Sequence, residues 1–215
     1  MAEGMVYYKT AAKYGEVEQT IEKSRFIGYI KPVQNREEAE AFIAEIRALH
    51  RSATHNVPAY VIGEKSEMQW ASDDKEPSGT AGAPILHLLN GEGITNVAVV
   101  VTRYFGGIKL GTGGLARAYG GTARLALDAA GVAEVKEMDL LTFGIDYTYY
   151  GKIQNSEKDG GYIIEDAAFE EKVKLTLQCE PSETERIKHM LSELTGGMCT
   201  GDKIQIKKTL KKVEI

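Results

Sequence analysis

Cysteine is scarce in this sequence, and long apolar runs are missing. Two cysteines, Cys179 and Cys199, stand in 215 residues. That is too few for a disulfide framework, so a reducing, cytoplasmic setting is expected. No Cys/His cluster has the spacing of metal ligands, so no structural zinc and no cofactor are expected. No apolar stretch approaches the roughly 20 residues of a membrane-spanning helix, and no membrane partner is expected. The opening MAEGMVYYKTAAKYGEVEQ lacks the charged-then-apolar pattern of a signal peptide. His50, His55 and His87 are scattered and lack a Ser or Cys partner recognisable from spacing, so no nucleophile–base pair is supported. The residues therefore read as a binding protein more than as an enzyme.

One absence is local. The net charge is −5, yet Ile94 to Leu127 contains no Asp or Glu while carrying Arg103, Lys109, Arg117 and Arg124. An acidic chain does not coat nucleic acid indiscriminately, because such binding runs on phosphate neutralisation. A single basic patch on it favours a specific anionic partner.

What is present reads as an ordinary soluble protein, 43% hydrophobic and 27% charged. EVEQTIE and SRFIGYIKPV suit two strands with a turn at Ser24. NREEAEAFIAEIRALHR suits an amphipathic helix with Asn35 as N-cap, Glu38 three positions on, and Ala39, Phe42, Ile43, Ile46 and Leu49 on one face. THNVPAYVIG reads as a strand in which Pro58 signals an edge or an irregularity. APILHLLNG suits a short helix with Pro84 in its first turn. ITNVAVVVTRY suits a strand covered on both faces. Residues 114–130 read as a helix stopped at Gly131, and VAEVKEM as a further strand. From LLTFGIDY onward the elements follow the order βαββαβ, the ferredoxin-like arrangement. The expected fold class is therefore α+β, with domains at 1–137 and 138–215.

The stretch after Thr102 holds seven glycines between Gly106 and Gly121. Gly111, Gly113 and Ala116 match the spacing of a dinucleotide fingerprint. The strand, however, ends eight residues too early, and no acidic residue follows a second parallel strand. A Walker lysine is also absent. A looser reading is an anion-facing surface, with helix N–H groups and dipole supported by Arg103, Lys109, Arg117 and Arg124. The plain alternative is close packing against Gly120 and Gly121, with the arginines solvated or paired.

In the loop SDDKEPSGTAG, Asp73, Asp74 and Glu76 suit a divalent ion. Ser78, Gly79 and Thr80 suit a second cup of backbone N–H groups. The competing reading is a polar surface loop with capping residues. His55 is retained as a minor candidate, and His87 is read as structural. The lysines at 203, 207, 208, 211 and 212 read as a fringe on an edge strand.

Three runs carry a resemblance: KSRFIGYIKPV, SDDKEPSGTAGAPIL and TRYFGGIKLGTGGLARAYGG. Together they resemble the IMPACT family, in its bacterial branch, over essentially the whole chain. The resemblance implies an N-terminal domain like the second domain of a small-subunit ribosomal protein, with a left-handed βαβ crossover. That superfamily also holds elongation factor G domains and small-molecule kinases. It implies a ferredoxin-like C-terminal domain similar to a domain of elongation factor G. Eukaryotic relatives regulate translation by competing for the activator of an amino-acid-starvation kinase that bacteria lack. What carries over is an association with translation, with RNA, the ribosome or a translation-linked protein as partner. The surface implied comprises Arg103, Tyr104, Phe105, Gly106, Gly107, Lys109, Gly111, Gly113, Arg117 and Arg124. The alternative is an enzyme or binding protein for a nucleotide or phosphorylated small molecule, built on the same loops. Two positions depart from the family pattern. Lys75 stands where Gly is usual, and Val57 stands where Cys is common, which removes a nucleophile there.

Overall fold

The computed structural model describes residues 6–199 and 204–214. In chain order the first elements are β1 (Val6–Ala11), β2 (Gly15–Ile21), β3 (Ser24–Pro32), α1 (Arg36–Leu49), β4 (His55–Ile62) and β5 (Met68–Ala71). Then come α2 (Gly82–Gly91), β6 (Val97–Tyr104), α3 (Gly111–Ala130) and β7 (Val132–Ile145). The rest are α4 (Tyr147–Gly160), β8 (Tyr162–Phe169), β9 (Val173–Cys179), α5 (Thr184–Leu194) and β10 (Gln205–Glu214). The fold class is α+β, as the sequence predicts. Among the described residues no helix is long and apolar enough to cross a membrane.

The described residues divide into two compact units, one comprising Tyr7–Val135 with residues 212–214, the other Val6 with residues 136–199 and 204–211. In the first unit the sheet runs β2-β3-β6-β4-β5. β3 and β4 lie on either side of β6 and are antiparallel to it, so the α1 connection is a crossover between parallel strands. Strand alternation sends Val97, Val99 and Val101 of β6 to one core, under α2 and α3, and Ala98 and Val100 to another, under α1. This two-sided burial is why the valine run shows no polar alternation. α1 starts as expected: Asn35 accepts from Glu38 N at 2.9 Å, while Glu38 reaches back to Gln34 N at 2.9 Å.

Pro58 lies inside the sheet, because β4 runs between β6 and β5. Its carbonyl accepts from Ser72 N, so its own backbone faces the β5 side beyond the end of that strand. The missing N–H therefore removes no bond from the β6 ladder.

Two strands, β1 and the short β5, carry no sequence expectation, and two expected strands merge. VAEVKEM and LLTFGIDY form the single 14-residue β7. In the second unit β7, α4, β8, β9, α5 and β10 follow in the order βαββαβ, with strands ordered β8-β9-β7-β10. Leu141, Leu175, Leu177, Ile153, Ile187 and Leu191 form its core. Lys207, Lys208, Lys211 and Lys212 fall on β10, while Lys203 lies outside the described residues.

Candidate functional site

The site begins with one row across the sheet. Phe26 on β3 is opposite Arg103 on β6, which is opposite His55 on β4. Alternation puts this row on the face covered by α3, which buries Leu115, Ala118, Tyr119 and Thr122 at helical spacing. Tyr119 meets the Phe26 ring edge-on, with centroids 5.4 Å apart.

Into this row the loop before α2 inserts Glu76. Arg103 is 4% exposed, and its Nη1 donates to Glu76 Oε1 at 2.7 Å. The Tyr119 hydroxyl donates to the same oxygen at 2.7 Å, and His55 Nε2 lies 3.5 Å from it. Arg103 Nη2 donates to Ser24 Oγ at 3.3 Å, and the guanidinium sits 5.4 Å from the Phe26 ring centroid and 5.3 Å from that of Phe105. Burial first, then the neighbouring Glu76 carboxylate, pushes the Tyr119 phenol far above its ordinary range, so it remains a donor. Arg103 is thus a buried partner of Glu76 rather than the solvent-facing anion grip expected from its place at a strand's end.

Glu76 likewise is no metal ligand in company with Asp73 and Asp74. Asp73 accepts from Gly79 N at 2.8 Å, Ala81 N at 3.0 Å and Gly82 N at 2.9 Å. Burial raises its carboxyl, but those three N–H groups hold it below the usual range. The expected N–H cup around Ser78, Gly79 and Thr80 is therefore filled by the loop's own aspartate, which caps α2 in place of Ala81. Thr80 turns back to Pro77 O at 2.6 Å, and Ser78 is exposed. Asp74 Oδ2 accepts from Asn56 N at 2.7 Å, and its carbonyl accepts from His55 Nδ1 at 2.7 Å. Among the described residues no group of three His, Cys, Asp or Glu side chains is arranged to hold a metal ion. The loop takes its shape through left-handed backbone at Asp74 and Lys75, φ 44° and 70°. This accounts for the glycine that the resemblance places at residue 75.

The glycine stretch separates into structural and open positions. Gly106 is structural: a Cβ there would lie 1.9 Å from Lys23 O. At Gly107, Gly111 and Gly121 a Cβ would meet nothing within 4 Å. Gly120 has only Pro84 nearby, at 3.7 Å, so among the described residues the close approach expected at Gly120 and Gly121 is not made. Close packing occurs instead where β2 and β3 meet α3, with a Cβ at Gly28 placed 2.8 Å from Thr122 O.

Of the remaining expected surface, Arg124 pairs with Glu92, and Tyr104 turns to the other face to bond His50 Nδ1 at 2.8 Å. Phe105 is 47% exposed, and Gly107, Lys109, Gly113 and Arg117 are exposed. α3 starts without a side-chain cap. Lys109, Leu110, Gly111 and Thr112 line a cleft of about 440 Å³ together with Thr54, His55, Glu76, Pro77, Arg103 and Phe105. The structure thus brings His55, Glu76, Arg103, Phe105, Lys109 and Gly111 together. It separates them from Asp73, Ser78, Tyr104 and Arg124. Tyr119 was missed from sequence, because a tyrosine in a helical core stripe reads only as core.

Comparison with known proteins agrees with this architecture. The Impact N-terminal domain family matches residues 22–127, and a domain of unknown function (DUF1949) matches residues 143–198. An IMPACT family member of Bacillus subtilis (strain 168), YvyE, is 44% identical over 190 residues, covering 88% of each chain. Protein IMPACT of Mus musculus is 35% identical over 95 residues, 43% of this chain and 30% of that one. A crystal structure described as that of a hypothetical protein superposes with a TM-score of 0.58 at 30% identity, covering 100% of this chain and 98% of the other. The chain belongs to the IMPACT family.

Proposed function

We propose that this protein is a translation-associated regulatory binding protein that contacts RNA, free or within the ribosome. The contact surface is the loop from Phe105 to Gly114 with the first turns of α3. The translation link follows from family membership and from what the family's eukaryotic members imply. The observation that carries the surface is its composition once buried groups are set aside. Lys109 and Arg117 remain exposed beside half-exposed Phe105 and an uncapped helix start, with no carboxylate between Ile94 and Leu127. Cations supply phosphate contacts, and an exposed aromatic supplies a stacking platform of about 1–3 kcal/mol per base.

The test is binding of the purified chain to ribosomes and to short RNAs across a salt series. The expected result is binding that weakens with salt and is largely lost in Lys109→Ala/Arg117→Ala. Absence of binding at low salt would sink the reading. A second reading, a site for a phosphorylated small molecule, is favoured by the cleft beside this surface.

A further inference from the structure

The cleft of about 440 Å³ falls within the roughly 300–1,000 Å³ typical of small-ligand sites. Its chemistry is uneven. Its lining includes the start of α3, a 20-residue helix whose first-turn N–H groups no side chain caps, with Lys109 beside it. That end attracts an anion. The same lining holds Glu76 and His55. Arg103, Tyr119 and His55 all approach Glu76 Oε1, while Oε2 accepts no hydrogen bond from the described residues, although Glu76 is only 9% exposed and lines the cleft. Oε2 is not a buried unpaired atom: it is open to the cleft and free to accept from an entering donor.

His55 presents a second acceptor. Its Nδ1 must hold the proton given to Asp74 O, because a carbonyl only accepts. In the neutral ring Nε2 is then a lone pair, 3.5 Å from Glu76 Oε1. Two adjacent acceptors suit two adjacent hydroxyl donors. An amine is disfavoured as their partner by Arg103 and Lys109 in the same lining. Phe105, Leu110, Leu115 and Pro77 add apolar surface to the same lining, suited to a planar ring.

We propose that the cleft binds one 5′-phosphorylated ribonucleoside with a free 2′,3′-diol. The phosphate sits at the α3 N-terminus with Lys109, the diol donates to Glu76 Oε2 and His55 Nε2, and the base lies against Phe105. This chemistry belongs both to a free nucleoside 5′-monophosphate and to the 3′-terminal nucleotide of an RNA. The second form rests on the RNA reading above; the first does not.

The test uses the full chain and amide-resolved NMR titration. The probes are the four nucleoside 5′-monophosphates, their 2′-deoxy forms, inorganic phosphate, and one RNA oligomer carrying either a 3′-hydroxyl or a 3′-phosphate. Expected are shifts confined to His55, Phe105 and residues 109–112. The 2′-deoxy forms and the 3′-phosphate oligomer should bind about tenfold more weakly, equivalent to one lost hydrogen bond. Lys109→Ala and Phe105→Ala, both at exposed positions, should weaken binding by a similar factor while leaving the other resonances in place.

Equal binding of the deoxy and ribo forms, or phosphate alone competing as well as a nucleotide, would overturn the proposal. RNA binding that is salt-dependent but indifferent to the 3′ end would overturn the terminal-nucleotide form and leave the basic surface standing. Nucleotide binding in the cleft without RNA binding would do the reverse. Should Glu76→Gln fail to fold, the two exposed variants still decide.

Discussion

Arg103 shows how burial changes what a residue is for. Removing a guanidinium from water costs several kcal/mol, and only a closely placed carboxylate with further hydrogen bonds offsets it. Glu76 and Ser24 provide that here. Arg103→Met would leave the Glu76 carboxylate buried without its cation, and is expected to cost about 3–5 kcal/mol in urea unfolding. A loss below about 1 kcal/mol would mean the pair is far less buried than described. His50 makes a second residue-scale case. It bonds Tyr29 at 2.6 Å through Nε2 and Tyr104 at 2.8 Å through Nδ1, so the neutral ring donates to one tyrosine and accepts from the other. Burial, then the Arg25 charge, lowers its pKa, while burial pushes the Tyr29 phenol up to about 12. Because the folded value lies below the unfolded one of about 6.5, the unfolded chain binds the extra proton. Stability from this group is therefore present above about pH 6.5 and lost as pH falls below it. His50→Gln should flatten that part of the stability–pH curve between about pH 7 and pH 5, and an unchanged slope would refute the assignment.

At the scale of elements, α3 organises the first unit. Its small face, Ala118, Thr122 and Ala126, lets β2 and β3 approach closely, and Gly15 and Gly28 make room from the sheet side. Gly28→Ala forces a Cβ to within 2.8 Å of the Thr122 carbonyl. It is expected to cost about 1–3 kcal/mol by overpacking. Gly121 has open space around it, so Gly121→Ala should gain about 1 kcal/mol from helix propensity alone. Thermal unfolding of the two variants checks both signs; a destabilising Gly121→Ala would reveal a contact that the chain alone does not make. The loop before α2 shows why its chemistry resisted prediction. Its acidic run suits a metal, but Asp73 spends both oxygens on backbone N–H groups, and Glu76 turns inward to Arg103.

For the whole molecule, the contrast between net charge and local charge shapes the expected binding. A chain of net charge −5 repels a polyanion overall, and Lys109 and Arg117 stand exposed in a stretch that carries no carboxylate. RNA affinity should therefore fall with salt along a shallow line, with a log–log slope of about −0.7 per neutralised phosphate on a single strand. Loss of Lys109 or Arg117 should reduce the slope by about that amount each. A slope unaffected by both would place the contact elsewhere, with the lysines of β10 the next surface to test.

Much of the fold was legible because it rests on local periodicity. Asn35 and Glu38 announce α1, the unbroken valines announce a strand buried on both faces, and the 3.6-residue recurrence from Leu115 to Ala130 announces α3. The glycine signature was equally legible, and it carried the family. The site was legible only in parts. Arg103, Glu76, Tyr119 and His55 lie far apart in the chain, and each alone reads as something else: an exposed cation, a metal ligand, a core aromatic, an isolated histidine. Strand register placed His55 beside Arg103, and helix packing set Tyr119 above them. Desolvation then made one carboxylate oxygen the centre of the cluster and left the other facing the cleft. Sequence determined the elements, because short-range dihedral and burial preferences act within a few residues. Tertiary structure alone decided the site, because the strength of a charge pair depends on the water that folding removes.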